Sequence, residues 1–228
     1  MTTHGQRVSI CVPAKDESAT IAEILERSRP FGDEIFMVDG RSTDDTRDIA
    51  ESLGVPVYQD AGLGKGSAVR EAIRRATGDI LVFIDADLSF DPVDIPRLVE
   101  PVASGVADYA NGSRMRGGSD ELHGDLDKFV RMVGQDIITL GINYRFGVRL
   151  TDSQSGFRAI SLKAARSIRL EENITTTEQE MIIKFLRRGY RIVEVPTHEH
   201  ASRRAKSHIS LRRVAFRYVW SWLKYMYL

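Results

Sequence analysis

Ile80, Leu81, Val82, Phe83 and Ile84 are apolar without interruption, and they run straight into Asp85-Ala86-Asp87. A strand with one wet face alternates apolar and polar residues, whereas a strand apolar throughout is covered on both faces, as in a parallel sheet between helices. The preceding chain has the matching pattern. Residues 8–12, 34–38 and 55–59 read as strands. Helical periodicity separates them over 18–29 (Ile21, Ile24 and Leu25 on one face, ended by Pro30), 44–53 (closed by Gly54) and 67–76 (ended by Gly78). This alternation predicts an α/β fold with a mostly parallel central sheet and helices on both faces. Ligands of such sheets bind at the carboxyl ends of the strands.

A chain of 228 residues suits one compact body. Its 32 Lys and Arg balance 32 Asp and Glu, so no global field attracts nucleic acid, and any phosphate site must come from local placement. Cys11 is the one cysteine. It excludes an intramolecular disulfide and a cysteine zinc cluster, and it fits a reducing, cytoplasmic compartment. The polar start of the chain lacks the pattern of a secretory signal, and no apolar run reaches the 18 or so residues of a membrane span, so membrane contact is expected from the side.

The expected strand ends are acidic. Pro13-Ala14-Lys15-Asp16-Glu17 follows the first, Asp39-Gly40-Arg41-Ser42 the second and Asp85-Ala86-Asp87 the fourth. Turn and cap chemistry accounts for any one of these alone. It accounts poorly for three converging on one rim. Asp85 and Asp87, two residues apart, share a side if the extended geometry persists, and two hard oxygen ligands there suit Mg²⁺ or Mn²⁺ held jointly with a diphosphate. Gly62-Leu63-Gly64-Lys65-Gly66-Ser67 is neither a Walker loop, which needs Ser or Thr after the lysine, nor a dinucleotide fingerprint, which needs Gly where Ser67 stands. It reads as a loop over a helix N-terminus that offers Lys65 to a phosphate, or as a plain turn.

Taken in order, Pro13 to Glu17, Val38 to Thr46, Gly64-Lys65-Gly66, Asp85 to Leu88, Gly112-Ser113-Arg114, Ser155-Gly156-Phe157-Arg158 and Glu194-Val195-Pro196 resemble the signature of family 2 glycosyltransferases of GT-A fold. The nearest subgroup is the dolichol-phosphate mannose and glucose synthases. The resemblance implies a glycosyltransferase domain over residues 1–209 followed by a helix over 210–228. It implies that Pro13, Ala14, Glu17, Asp39, Lys65, Asp85, Ala86 and Arg114 hold the nucleotide sugar, and that Asp87, with Asp85 and Ser89, holds the metal. It places Arg131, Gly134, Arg203, Arg204 and His208 at the acceptor phosphate, and Asp87, Arg114, Arg131 and Arg203 in catalysis. The chain departs from the pattern where Lys15 replaces a frequent aromatic residue, Gly40 a frequent Asp, Ser89 the usual Gln and His208 the usual Lys.

An alcohol acceptor needs a general base, whereas a phosphate monoester, with a second pKa of about 6, is already an oxyanion at neutral pH. It needs cations. Arg114, Arg116, Arg131, Arg158, Arg203, Arg204 and Lys206 all follow the acidic motif, and the arginine fork suits phosphate oxygens. Glu180 reads either as half of a capping box with Thr177 or, by resemblance, as an acid near the acceptor, and Asp152 is read similarly. His198-Glu199-His200 on a strand presents both rings on one side as metal ligands; two exposed histidines after an edge strand are the plainer account. Residues 210–228 form an amphipathic helix with Arg213, Arg217 and Lys224 on one stripe and Leu211, Tyr218, Trp222 and Tyr225 opposite, suited to an anionic membrane interface or to docking on protein. Residues 129–146 are read as core or as an approach to lipid.

The expected activity is inverting transfer of a hexose from UDP-hexose or GDP-mannose to a polyprenyl or dolichyl phosphate, on the cytoplasmic face of a membrane. The alternatives are the same fold with a soluble acceptor such as a phosphoglycerate, and a non-catalytic sugar-nucleotide-binding module. The sequence leaves the oligomeric state open.

Overall fold

The computed structural model describes residues 4–120, 126–202 and 211–227, with the side chains of 126–131 and 211–216 excepted. The elements are β1 (Val8–Ala14), α1 (Ile21–Ser28), β2 (Glu34–Asp39), α2 (Thr46–Ser52), β3 (Val57–Gln59), α3 (Lys65–Arg75), β4 (Ile80–Phe83), α4 (Ile95–Ala103), β5 (Tyr109–Ser113), α5 (Arg114–Gly117), α6 (Leu126–Phe146), β6 (Arg158–Ser161), α7 (Leu162–Ser167), α8 (Thr177–Arg187), β7 (Ile192–Pro196) and α9 (Leu211–Tyr227). Among the described residues, seven strands make one sheet in the order β3-β2-β1-β4-β6-β5-β7. All neighbours are parallel except β6, which runs antiparallel to both β4 and β5.

Strand β4 is buried at every position, as its composition predicts. Ile80 and Val82 enter one apolar layer with Ile24 of α1 and Leu98 of α4. Leu81 and Phe83 enter the opposite layer with Val69 of α3 and Met181 and Phe185 of α8. Alternation along the strand thus feeds two cores, and each side chain so covered contributes about 1.5–3 kcal/mol.

Three local expectations shift. Helix α1 starts at Ile21 because the Glu17 carbonyl first accepts the amides of Thr20 and Ile21, and Pro30 falls inside a 3₁₀ turn over Arg29–Phe31. Helix α3 starts two residues early, on Gly64, whose φ of 113° the glycine allows. The capping box at Thr177 does not form: Thr176 is the cap residue without a side-chain bond. Glu180 instead accepts the amides of Glu171 (2.8 Å) and Glu172 (2.9 Å), in the segment that leads into α8.

Helix α9 docks on the body through the face carrying Tyr218, Trp222 and Tyr225. A Cβ on Gly141 of α6 would lie 2.2 Å from the Trp222 ring, so the missing side chain lets the two helices close. Gln179 donates to the Tyr218 carbonyl and Arg187 to that of Tyr225. The exposed apolar residues are a different set: Val219, Trp220, Leu223 and Tyr227 on α9, and Val133, Ile137, Leu140 and Tyr144 on α6. Among the described residues no helix is long and apolar enough to cross a membrane.

Candidate active site

The carboxyl ends of β1 to β4 open into a cavity of about 530 Å³. Pro13, Ala14, Glu17, Lys65, Asp85, Ala86 and Asp87 line it, together with Lys15, Asp16, Gly40, Asp60 and Thr175. The acidic groups after β1 and β4 share one cavity wall, whereas Asp39, expected there from the end of the second strand, is not among the lining residues. Three of its turns hold non-glycine residues in the left-handed region: Asp16 (φ 54°), Arg41 (64°) and Leu88 (61°). Each such residue costs of order 1–3 kcal/mol and persists only where its surroundings hold it. Here Asp16 accepts the Thr43 amide (2.7 Å) while its own amide donates to Ser42 Oγ (3.0 Å). The turn at Leu88 brings the Ser89 amide to Asp87 Oδ1 (3.1 Å).

Asp39 is buried at the end of β2, where its two oxygens accept the Ser42 amide (3.1 and 3.3 Å). Glu17 is buried on α1's approach, its amide donating to Thr46 Oγ1 (2.7 Å). At the departures Lys15 and Gly40 the two strand-end turns approach closely: a Cβ on residue 40 would lie 3.2 Å from the Lys15 Cβ, so a side chain there needs the turn after β1 to give by a few tenths of an ångström.

Lys65, at the start of α3, reaches across the floor. Its Nζ lies 2.8 Å from Asp85 Oδ1 and 3.0 Å from Glu178 Oε1 on α8. Burial works to lower the Lys65 pKa, but the two carboxylates outweigh it and raise the pKa above the ordinary lysine value. The glycines around it serve packing. A Cβ on Gly66 would lie 2.0 Å from the Glu172 carbonyl oxygen and one on Gly64 2.5 Å from that of Asn173, so these glycines seat the chain entering α8 while Gly62, Gly64 and Lys65 line the cavity. Gly156 plays the same part: its Cβ would sit 2.0 Å from Asp85 Oδ2.

Arg158, expected among the phosphate-facing cations, is instead fully buried. As the first residue of β6 its side chain enters the sheet's covered face, over the Phe83 ring at 4.6 Å, with Glu178 at 3.9 Å. Arg114 is also engaged elsewhere. Its Nε and Nη2 hold Asp152 (2.6 and 3.0 Å) and its Nη1 reaches Glu199 (3.3 Å), and it is not among the residues lining the cavity. Burial opposes the charge of both partners, but their mutual attraction wins, raising the Arg114 pKa and lowering that of Asp152. Glu194 fixes this pair by accepting the amides of Thr151 (2.7 Å) and Asp152 (2.8 Å).

Of the metal residues, Asp85 and Asp87 face the cavity, and Asp87 Oδ2 also accepts from the Ser202 hydroxyl (2.9 Å). Ser89 is buried and is not among the lining residues; its carbonyl accepts the His200 amide (2.8 Å). Gly134 is exposed on α6, away from the lining set. The side chain of Arg131, and Arg203, Arg204, Lys206 and His208 entirely, lie outside the described residues.

Sequence reasoning missed Asp60. It directly follows β3, close to the place Asp39 holds at the end of β2. It is 6% exposed, lines the cavity, and accepts the Gly62 amide at Oδ1 (2.5 Å), while Oδ2 has no partner among the described residues. Burial raises its pKa, and the nearby Asp39 adds to the rise.

Residues 9–169 match the model of glycosyl transferase family 2. That match covers well over half of the chain, which therefore belongs to glycosyltransferase family 2. Among curated proteins it is similar to glycosyltransferase AglJ of Haloferax volcanii, 31% identical over 83% of this chain and 62% of that one. It is likewise similar to the low-salt glycan biosynthesis hexosyltransferase Agl6 of the same organism, 31% identical over 85% of this chain and 48% of the other. The chain thus spans about half the length of these relatives. Among solved structures it shares its fold with glucosyl-3-phosphoglycerate synthase from Mycobacterium tuberculosis in complex with Mn²⁺, UDP and glucosyl-3-phosphoglycerate. That superposition has a TM-score of 0.78 at 22% identity and covers 97% of this chain and 80% of the other, so the fold is GT-A.

Proposed function

We propose that this chain transfers a hexose from a nucleotide sugar to a polyprenyl phosphate, inverting the anomeric carbon, on the cytoplasmic face of a membrane. The observation that carries the donor half is the meeting of Pro13, Ala14, Glu17, Lys65, Asp85 and Asp87 in one cavity at the strand ends. The donor set fits a hard divalent ion: two carboxylates converge there, and each oxygen of Asp87 accepts one hydrogen bond and retains a lone pair. Mg²⁺ or Mn²⁺ bound to Asp85 and Asp87 would offset the charge growing on the departing diphosphate. Lys65, kept cationic by Asp85 and Glu178, adds a positive charge beside it.

The acceptor half rests on what three acids of the second half of the chain do. Glu178 holds Lys65, Glu180 holds backbone amides and Lys184, and Asp152 holds Arg114. Each is engaged away from proton abstraction, as suits a nucleophile that arrives ionised. A lipid carrier is supported by the end of the chain. Seven Lys and Arg and no Asp or Glu lie after Glu199, in a protein of zero net charge. Helices α6 and α9 also expose Tyr144, Trp220 and Tyr227, aromatic residues suited to a membrane interface.

A soluble acceptor is the second reading, favoured by the fold shared with a synthase solved with glucosyl-3-phosphoglycerate. Labelled UDP- and GDP-hexoses offered with polyprenyl phosphate and with phosphoglycerate separate the two. Label in the organic phase supports the lipid; label only in a water-soluble phosphate ester supports the alternative; turnover of no donor leaves a binding module.

A further inference from the structure

We propose that Asp120, His198 and His200 form a second metal site, for an imidazole-seeking ion such as Zn²⁺, Co²⁺ or Ni²⁺, separate from the Asp85 and Asp87 pair. One ligand atom from each residue lies within 4.8 Å of the others. The backbone builds the cluster. Beyond β7 the chain stays extended, with the Glu199 amide donating to the Gly118 carbonyl (3.0 Å) and the Asp120 amide to that of Glu199 (2.8 Å). Residues 198 and 200 therefore share a face and residue 199 takes the other. Glu199 turns to Arg114 and Ser119, while the two imidazoles meet with ring centroids 4.7 Å apart, beside Asp120.

His198 is already oriented as a ligand. Its Nδ1 lies 3.3 Å from the Gly117 carbonyl and its Nε2 3.0 Å from Asp120 Oδ1. In the tautomer that donates Nδ1–H to the carbonyl, Nε2 presents its lone pair beside the carboxylate, so the two groups can close on one metal ion. His200 Nδ1, 3.9 Å from Asp120 Oδ2, is placed to complete a three-ligand set. Ligand atoms around tetrahedral zinc stand about 3.3–3.5 Å apart, within reach of rotation about these half-exposed side chains. Two imidazoles and one carboxylate select borderline ions over Mg²⁺ and leave a position for water. An ion here would tie 198–200 to the segment after α5, two residues before Ser202 donates to Asp87.

The test is a Co²⁺ titration of the metal-stripped full chain in excess Mg²⁺, followed by visible absorption, with Zn²⁺ measured against a chromophoric chelator. The expected result is one equivalent bound, at least about tenfold more weakly by His198→Gln and by His200→Gln, and unchanged in Asp87→Asn. Asp120→Asn provides a third variant on an exposed residue, with the same expected loss. Absence of stoichiometric binding, affinity indifferent to all three substitutions, or loss in Asp87→Asn would each overturn the proposal; the last would make the ion part of the donor site.

Discussion

Arg114 and Asp152 show how far a residue's role depends on distant partners. The arginine is buried between carboxylates 38 and 85 residues away in sequence. Removing one member of such a pair strands the other, so Arg114→Ala should destabilise the fold by about 3–5 kcal/mol in urea denaturation, well beyond any loss of ligand binding. Asp60 makes the opposite kind of prediction. Asp60 lines the cavity, and its Oδ2 is buried without a hydrogen-bond partner among the described residues, so Asp60→Asn should raise the KM for the sugar nucleotide several-fold with kcat little changed, as expected for uniform binding. Asp44 gives a pH signature. Burial works to raise its pKa, but hydrogen bonds from Thr46 and Ser18 win and lower it to about 2. Against an unfolded value near 3.9, that stabilisation is complete above about pH 4 and is lost as pH falls towards 2. The stability difference between the protein and Asp44→Asn, followed by denaturant melts, should close over that window. Asp85, Asp87 and Lys65 were legible in the sequence because each sits in a short motif next to a strand end. Arg114 and Arg158 were not, because an arginine's spacing says nothing of which acid it will meet.

At the level of elements, the glycine loop and the last helix are tied to the cavity through α8. The chain entering α8 rests on Gly64 and Gly66, and its Thr175 both lines the cavity and meets the Tyr218 hydroxyl of α9 (2.5 Å). Burial pushes the Tyr218 pKa up to about 12, so the hydroxyl stays protonated throughout the working range. Gly66→Ala would set a methyl 2.0 Å from a backbone oxygen, which only a shift of α3 or of the 172–174 segment can relieve. It should lower the melting temperature by several degrees and weaken donor binding together, whereas Ala at Gly54, where a Cβ meets nothing within 4 Å, should cost stability alone. The first four strands were readable to within two residues at either end, because parallel strands covered on both sides announce themselves in composition. The placement of β6 between β4 and β5 was not, since the choice of an antiparallel partner 78 positions away leaves no local pattern. The amphipathic helix over 210–228 was anticipated, but its aromatic face packs on α6 and α8, and a second stripe is the exposed one.

Charge is unevenly distributed along the whole chain. Acidic strand ends gather at the cavity, while in the sequence the final 29 residues carry seven Lys and Arg and no Asp or Glu. A nucleotide diphosphate needs the acidic cavity screened by a divalent ion, and a phosphate acceptor needs the cationic end. Both requirements are local, which is why composition alone, a net charge of zero, does not name a substrate. The dependence on metal gives the most direct test. Calorimetry of UDP and GDP binding, with and without Mn²⁺, on the protein and on Asp87→Asn should show Mn²⁺-strengthened binding of one nucleotide in the protein and loss of that strengthening in the variant. Equal affinities in the two proteins, with Mn²⁺ present, would contradict the account at its centre.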